Sequence, residues 1–472
     1  MFNMFKKKET PSLWTHNSHE DGYPSANNLT SDGKKYQSEM MNSNPMKNFM
    51  FDRFFGVDEA NPKYEGMNFF VIGDDKRDAA DRVFRYQIEQ LKSSFVISTS
   101  SLVLIGMVRG ELAKHGYNIR ILNFSTNDEL GDLSNQVEQS MVYNIFEQAS
   151  CKEEVEAMVA SMIKMSPTYA PENNFGNNVL KSLLVASILF KQINNDATYE
   201  SICKFIQSAE FKNKAESDAQ KSNFDKAFEE ALLFANVGSK ENKQRAKNAY
   251  DAYKTFCTAC GKSRTYVIRA ALELLKIYKC GTNGPRAKNF KLKEFYNKKF
   301  ALFVVFDDKD KNLAAHGRVA TEVVINQLQK ENISRHIRFM IEGVEKHLST
   351  ANFESLIHSN GKYSLTAVLH DMNDLSNKDL ENVYSLNNMS DVLIYMGSQN
   401  TNDAKHKYVM DILGEAQKKD PEYKKVCKLA KKDITNVRCV YSPENNLTFE
   451  MSANEQMVFI RDQKPFLLTY IY

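Results

Sequence analysis

The sequence lacks the long apolar runs that cross a membrane. None of its stretches approaches the roughly 18 consecutive apolar residues that a spanning helix needs, and the lysines of the N-terminal MFNMFKKKET are followed by no apolar segment. A signal peptide is therefore not expected. The 7 cysteines are odd in number and scattered, unlike the framework of a disulfide-stapled domain. These absences predict a cytoplasmic protein without a membrane span.

A strong charge of either sign is also missing. The formal net charge is +3 over 472 residues, which by itself does not indicate a nucleic-acid-binding protein. The histidines form no HExxH pattern, and Cys257 and Cys260 form a single CxxC without a second pair. A zinc site needs about four ligands, so we predict no metal site.

Apolar runs with strand character alternate with segments of helical periodicity. The first three strands are predicted at Met67–Gly73, Ser94–Thr99 and Asn118–Phe124. The later ones are predicted at Ala301–Phe306, Ile337–Ile341, Leu365–Leu369, Val392–Met396 and Gln456–Arg461. Strand and helix alternating through short loops predict an α/β protein with a parallel sheet.

The middle of the chain loses its strand patterns and becomes helical throughout. We therefore predict a polar N-terminal arm at residues 1–48, a first α/β part at 49–150, an all-helical insert at 151–265 and a second α/β part at 266–472. In a parallel sheet, ligands bind at the carboxyl ends of the strands, which directs attention to the loops after the predicted strands.

One loop interleaves cations with aromatic side chains. Its cations are Arg286, Lys288, Lys291, Lys293, Lys298 and Lys299, and its aromatics are Phe290, Phe295 and Tyr296. This composition suits single-stranded nucleic acid, through phosphate neutralisation and base stacking. The alternative is a solvated basic loop whose aromatics pack on the edge of the sheet.

Eight segments, in order, resemble one known family. They are HGYNIRILNF (His115–Phe124), YNIF (Tyr143–Phe146), TYESICKFIQSAE (Thr198–Glu210), YKTFCTACGKSRTYVI (Tyr253–Ile268), ALFVVFDDKD (Ala301–Asp310), NFESLI (Asn352–Ile357), VLIYMGSQNTNDAKHKYVMDILG (Val392–Gly414) and QMVFIRDQKPF (Gln456–Phe466). Together they resemble the TraG/TraD-type coupling proteins of type IV secretion. The resemblance implies a RecA-like P-loop ATPase fold with an inserted all-helical domain, and oligomers that bring DNA to a secretion channel.

The phosphate-binding loop implied by the resemblance is altered. Such a loop reads G-x-x-x-x-G-K-[ST], because its glycines let backbone N–H groups approach the phosphates, its Lys offsets their charge and its hydroxyl holds Mg²⁺. Here the first glycine is Gly73, while Asp78, Ala79 and Ala80 stand in place of the second glycine, the Lys and the hydroxyl. Lys76 and Arg77 lie too early to replace the lysine.

Three further positions depart from the family. Glu342-Gly343 stands where the family has Asp-Glu, Thr99 begins a Thr-Ser-Ser segment in place of Asp-Pro-Lys, and His370 replaces a Gln. Asp371 and Asp374 follow His370 and predict a polar cluster there. GKS at Gly261–Ser263 is predicted to lie within a helix and not in a phosphate loop.

The expected function is a pseudo-ATPase: a scaffold in a conjugation or secretion apparatus with no catalytic residue and no cofactor. Its expected partners are other proteins of that apparatus, an intact coupling ATPase among them, in a homo- or hetero-oligomer at the inner face of the membrane. Two alternatives stay open. One is an active DNA-dependent ATPase that uses ATP and Mg²⁺ through Lys76, Arg77 and Glu342; the other is a single-stranded DNA-binding protein that uses the Arg286–Lys299 loop.

Overall fold

A computed structural model describes most of the chain between residues 48 and 469. The described residues are 48–50, 56–58, 67–73, 79–125, 143–149, 151–168, 173–210, 221–234, 240–279, 290, 292, 298–331, 333, 335–348, 350–358, 363–373, 375–396, 404–405, 407–409, 438–441, 447–450, 455–460 and 466–469. The predicted polar arm lies outside them, apart from Asn48.

The described residues form thirteen strands. They are β1 Asn48–Met50, β2 Gly56–Asp58, β3 Phe69–Ile72, β4 Ser94–Thr99, β5 Asn118–Phe124, β6 Phe300–Phe306, β7 Ile337–Glu342, β8 Ser364–Leu369, β9 Val392–Tyr395, β10 Arg438–Tyr441, β11 Leu447–Glu450, β12 Glu455–Ile460 and β13 Phe466–Thr469. Eight of them follow the predicted apolar runs closely, whereas β1, β2, β10, β11 and β13 were not predicted. Strands β3, β4, β6, β7, β8 and β9 are buried along their whole length, as expected for a sheet that is covered on both faces.

In the described residues the main sheet has nine strands in the order β13-β12-β9-β3-β8-β7-β4-β6-β5. The seven from β9 to β5 are parallel, whereas β12 and β13 add antiparallel strands at one edge. The predicted parallel α/β sheet is confirmed, and β3 lies inside it between β9 and β8. Because β3, β8, β7 and β4 are neighbours, the loops that follow them meet at one edge.

The helices cover both faces of this sheet. They are α1 Ala79–Glu89, α2 Leu102–Lys114, α3 Ile145–Gln148, α4 Lys152–Met165, α5 Asn174–Ile193, α6 Tyr199–Gln207, α7 Asn223–Phe234, α8 Lys240–Cys260, α9 Arg264–Ile277, α10 Lys311–Lys330, α11 Ala351–Ile357 and α12 Asn377–Met389. Helices α1 and α2 share one apolar core with a face of the sheet. Helices α4 to α10 share the other core, so the helical region packs against the opposite face.

Between Ile145 and Ile277 the described residues form helices and turns without a strand. An aromatic cluster of Phe190, Phe205, Phe224 and Phe228 joins helices α5, α6 and α7, with ring centroids 4.4 Å apart for Phe190 and Phe205. This agrees with the predicted loss of strand patterns, although the exact domain boundaries stay predictions. Of the described helices, none combines the length and the apolar character needed to cross a bilayer.

GKS lies between two α-helices, within the helical stretch that the sequence predicted. Gly261–Ser263 is a short 3₁₀ turn between α8 and α9, and Gly261 has φ +45°. This left-handed backbone ends α8, because residues with a side chain rarely adopt it. The segment still lacks the preceding strand that a phosphate loop requires.

Candidate functional site

Polar side chains converge where β3, β4, β7 and β8 end. Gly73, the first residue after β3, is buried and donates its backbone N–H to the carbonyl of Leu369, the last residue of β8, at 3.1 Å. Lys76, Arg77 and Asp78 lie outside the described residues. Ala79 begins α1 and Ala80 is buried in its first turn. The start of the predicted phosphate loop is therefore at the carboxyl edge of the parallel sheet.

Glu342, the last residue of β7, forms hydrogen bonds with the loop after β4. Its carboxylate accepts from the Thr99 hydroxyl at 2.7 Å, from the Ser100 backbone N–H at 2.8 Å and from the Ser100 hydroxyl at 3.1 Å. The register that pairs Ser98 with Ile341 brings these loops together. Three donors on one buried carboxylate satisfy most of its hydrogen-bonding capacity.

His370 follows β8 and lies beside the same carboxylate. Its Nε2 is 3.5 Å from Glu342 Oε1, an ion-pair distance, and its backbone N–H donates to the carboxylate of Glu345 at 3.2 Å. The buried side chain of Lys405 donates to the His370 carbonyl. We call Thr99, Ser100, Glu342, Glu345 and His370 the carboxyl-edge cluster.

The pKa values of the two glutamates in the cluster are shifted in opposite directions. Burial by itself would raise the pKa of Glu342, but His370 and the hydrogen bonds from Thr99 and Ser100 outweigh it, and the pKa is lowered. For Glu345, burial prevails over the attraction of His370 and raises the pKa of the carboxyl. The carboxylate form of Glu342 is thus stabilised relative to a free side chain, whereas the carboxylate form of Glu345 is disfavoured.

Gly343 occupies a position that requires glycine. Its φ of +65° lies in the left-handed region, and it begins the 3₁₀ turn Val344–Lys346. A Cβ at this position would lie 3.6 Å from Glu345 Oε1, 3.8 Å from Arg318 Nη2 and 3.9 Å from His370 Cδ2. A side chain at this position would therefore lie next to the charged groups of Glu345 and Arg318.

Several neighbours of the site were not predicted from the sequence. Arg318, on α10, donates to Asp308 at 2.7 Å and stacks over the ring of Phe306 at 4.9 Å. Ser101 caps α2 and donates its hydroxyl to Asp81 of α1 at 2.7 Å, which ties the loops after β3 and β4 together. Asp81, Arg318 and Lys405 come from helical segments, whose approach to a strand end depends on the tertiary fold.

The acids next to His370 are not the ones that the sequence suggested. Asp371 is exposed and accepts the backbone N–H of Asn373 at 2.9 Å, within its own loop. Asp374 lies outside the described residues. The polar cluster around His370 is instead built from Glu342 and Glu345, which approach from β7 and its following turn.

Behind the cluster lies a buried acid–histidine pair. Glu322 of α10 and His347, which follows the 3₁₀ turn, are fully buried with Oε1 and Nδ1 2.5 Å apart. Neither Glu322 Oε2 nor His347 Nε2 has a hydrogen-bond partner among the described residues. The pair joins α10, which carries Arg318, to the turn that carries Gly343 and Glu345.

The described end of the predicted basic loop lies at the other edge of the sheet, where β6 begins. Arg286, Lys288, Lys291 and Lys293 fall outside the described residues, while Lys298 and Lys299 are exposed immediately before β6. Phe290 is buried and packs edge-to-face on Tyr143, with centroids 5.8 Å apart. This aromatic, at least, is part of the core and is not available for base stacking.

Metal ligation finds no support in the described residues. They contain no group of three or more His, Cys, Asp or Glu side chains arranged to hold a metal ion. Cys257 and Cys260 lie near the end of α8, and burial raises the pKa of both thiols, which opposes the thiolate form that binds zinc.

Comparisons with known proteins identify the fold. No protein-family model and no curated protein sequence matches the chain. The plasmid coupling protein TrwB in complex with a non-hydrolysable ATP analogue is similar at a TM-score of 0.54 and 11% identity, covering 93% of this chain and 92% of that chain. TrwB in complex with ADP and Mg²⁺ gives a TM-score of 0.53 at 11% identity, with coverages of 93% and 92%.

The unbound bacterial conjugative coupling protein TrwBdeltaN70 gives a TM-score of 0.52 at 11% identity, covering 93% of this chain and 91% of that chain. At this identity the likeness shows the fold alone. The chain has the RecA-like P-loop NTPase fold, as the resemblance implied.

Proposed function

We propose that this protein is a non-hydrolysing relative of the conjugative coupling proteins, acting as a scaffold in a conjugation or type IV secretion apparatus. The observation that carries the proposal is the engagement of Glu342 by Thr99 and Ser100. In a working site this acidic position orders Mg²⁺ and its waters. Here the carboxylate is occupied by donors of its own chain.

The described residues do not fit a Mg²⁺-nucleotide in the manner of a P-loop enzyme. Ala80 offers no hydroxyl to a metal ion, and Gly343 offers no carboxylate to activate water. Asp308 lies within electrostatic reach of Glu342 at the strand ends, and carboxylates at close range oppose the binding of a phosphate. Burial raises the pKa of Asp308, with Arg318 opposing and Glu342 adding to the rise.

Two measurements on the full-length protein test the proposal. Titration calorimetry with Mg²⁺-ATP is expected to give no binding up to the millimolar range. Adding the protein to an intact coupling ATPase from the same genome is expected to change the hydrolysis rate or oligomeric state of that enzyme. Micromolar ATP binding, or hydrolysis that disappears in Glu342→Gln, would establish the active-ATPase alternative instead.

A further inference from the structure

Two thiols lie one turn apart at the end of α8. Cys260 is the last residue of the helix, and Cys257 comes three residues before it. Both are free thiols, and the Cys260 thiol donates to the carbonyl oxygen of Cys257 at 3.6 Å. Residues three apart in an α-helix have Cα atoms about 5 Å apart, within the range of about 4.4–6.8 Å that a disulfide spans. The backbone therefore holds the two cysteines close enough to be bridged.

A bridge needs the last turn of α8 to tighten, and the backbone that follows permits this. Side chains three apart on a helix have Cβ atoms about 5–6 Å apart, whereas bridged cysteines have Cβ atoms about 3.5–4.5 Å apart. Directly after Cys260 the chain enters the tighter 3₁₀ turn Gly261–Ser263, in which Gly261 has φ +45°. Because glycine adopts this backbone freely, tightening the turn here costs less than it would inside a continuous helix.

The two sulfurs differ in their access to solvent. Cys257 is partly exposed, whereas Cys260 is buried. Burial raises the pKa of the Cys260 thiol, although the charge of Arg264 and the backbone N–H groups of Cys260 and Gly261 oppose the rise. Burial also raises the pKa of the Cys257 thiol, against the opposing effects of Tyr253 and Arg264. A reagent in solution therefore reaches Cys257 first, with Cys260 one turn away to attack the product.

Polar contacts around this junction join three helices. Tyr253 of α8 donates to Asp225 of α7 at 2.9 Å, and Arg264 of α9 donates to the same carboxylate at 2.8 Å. Tyr253 also forms a hydrogen bond with Cys257, one turn further along α8. Movement of the Cys257 sulfur toward Cys260 would break that hydrogen bond. The oxidation state of the two cysteines would therefore be coupled to the packing of α7, α8 and α9.

We propose that Cys257 and Cys260 form a reversible thiol–disulfide switch, oxidised by low-molecular-weight disulfides such as oxidised glutathione. The Cys257 thiolate attacks one sulfur of the glutathione disulfide and forms a mixed disulfide. The glutathione that leaves takes up the proton lost by Cys257. The Cys260 thiolate then attacks the Cys257 sulfur, and a second glutathione leaves with the proton of Cys260. Two protein thiols are thus oxidised while one glutathione disulfide is reduced to two thiols.

This switch goes beyond the proposed function and uses no residue of the carboxyl-edge cluster. Redox titration of the full-length protein with oxidised and reduced glutathione tests it. Peptide mass spectrometry after acid quenching and alkylation should show a bridge between Cys257 and Cys260 that dithiothreitol removes. The bridged fraction should rise from about one tenth to about nine tenths over a roughly hundredfold change in the ratio of oxidised glutathione to the square of reduced glutathione. Because the thiolate attacks and the pKa of Cys257 is raised, the initial rate should increase about tenfold from about pH 7.5 to about pH 8.5.

Three variants separate the roles of the two sulfurs. Cys260→Ser should stop the reaction at a mixed disulfide of Cys257 with glutathione, because the second thiol is missing. Cys257→Ser should react roughly tenfold more slowly, since its remaining thiol is buried. Cys203→Ser is the matched control: Cys203 is a partly exposed thiol of α6 whose pKa is also raised by burial, and its loss should leave the bridge unchanged. Circular dichroism of the reduced variants checks that each is folded.

Hydrogen exchange connects the bridge to the packing of the helices. Backbone amides of residues 253–264 should exchange faster in the oxidised protein than in the reduced protein, and Cys260→Ser treated with glutathione should not show the full change. Unchanged exchange on oxidation would overturn the proposal. So would a bridge that forms only after unfolding in urea, a bridge that joins either residue to another cysteine, or equal rates of mixed-disulfide formation in Cys257→Ser and Cys260→Ser.

Discussion

Charged side chains at the two edges of the sheet differ in their burial and in their partners. At the carboxyl edge, charged groups are buried and have partners within the protein. Glu342 accepts three hydrogen bonds, and Glu322 contacts His347. At the amino edge, Arg335 and Lys298 are exposed and make no ion pair with a described residue. Buried polar groups are costly to disturb, whereas exposed charges contribute little to folding. Stability should therefore depend on the first edge, and external contacts on the second.

The largest expected effect is at the buried pair. Glu322→Ala removes a fully buried carboxylate and leaves His347 without its partner. Breaking such a pair typically lowers the free energy of unfolding by about 3–5 kcal/mol, measurable by urea denaturation. Glu273→Ala is the control, since that side chain is 69% exposed. If both substitutions lowered the free energy of unfolding equally, burial would not explain the contribution of these charges to stability.

Glu342→Gln tests the carboxyl-edge cluster itself. The amide cannot accept all of the donors from Thr99 and Ser100, and one buried donor left unpaired costs about 1–3 kcal/mol. Because the folded-state pKa of Glu342 is lowered, its contribution is present above the unfolded pKa of about 4.3 and is lost as pH falls through the folded value. Thermal unfolding of variant and wild type should therefore converge in acid.

Gly343→Ala isolates backbone strain in the same turn. Its Cβ would meet only ordinary contacts of 3.6 Å or more, so the expected loss of about 1–2 kcal/mol comes from the left-handed φ of +65°. Gly106→Ala is the matched control, because a Cβ there has nothing within 4 Å and the residue lies inside α2. That substitution should stabilise the protein by about 1 kcal/mol.

Glu345→Gln should act with the opposite pH dependence to Glu342→Gln. A raised folded-state pKa means that the wild-type carboxyl stabilises the fold most below about pH 4.3, and that this contribution is lost as pH rises through the folded value. The neutral amide of the variant does not ionise, so the variant does not lose stability in this way as pH rises. Its melting temperature, compared with the wild type, should therefore rise between mildly acidic and neutral pH, and a fall over the same range would contradict the assignment.

Sequence reasoning found the seven parallel strands and β12, because their apolar runs are local and distinct. It also identified Thr99, Glu342, Gly343 and His370 one by one, from the ends of those strands. It did not reveal that Thr99 and Glu342 bond to each other, because that contact depends on the pairing of β4 with β7. Arg318 and Lys405 were missed for a related reason: they lie on helical segments whose approach to the strand ends no local pattern encodes.

The smallest effect is expected at the amino edge. Lys299 donates to the Leu91 carbonyl at 3.2 Å from an exposed position, and its ammonium lies over the ring of Tyr117. Lys299→Ala should change the free energy of unfolding by no more than about 0.5 kcal/mol, as measured by urea denaturation beside Glu342→Gln. A loss as large as that of Glu342→Gln would mean that the cations before β6 stabilise the fold. Free solvent exposure would then no longer distinguish the amino edge from the carboxyl edge.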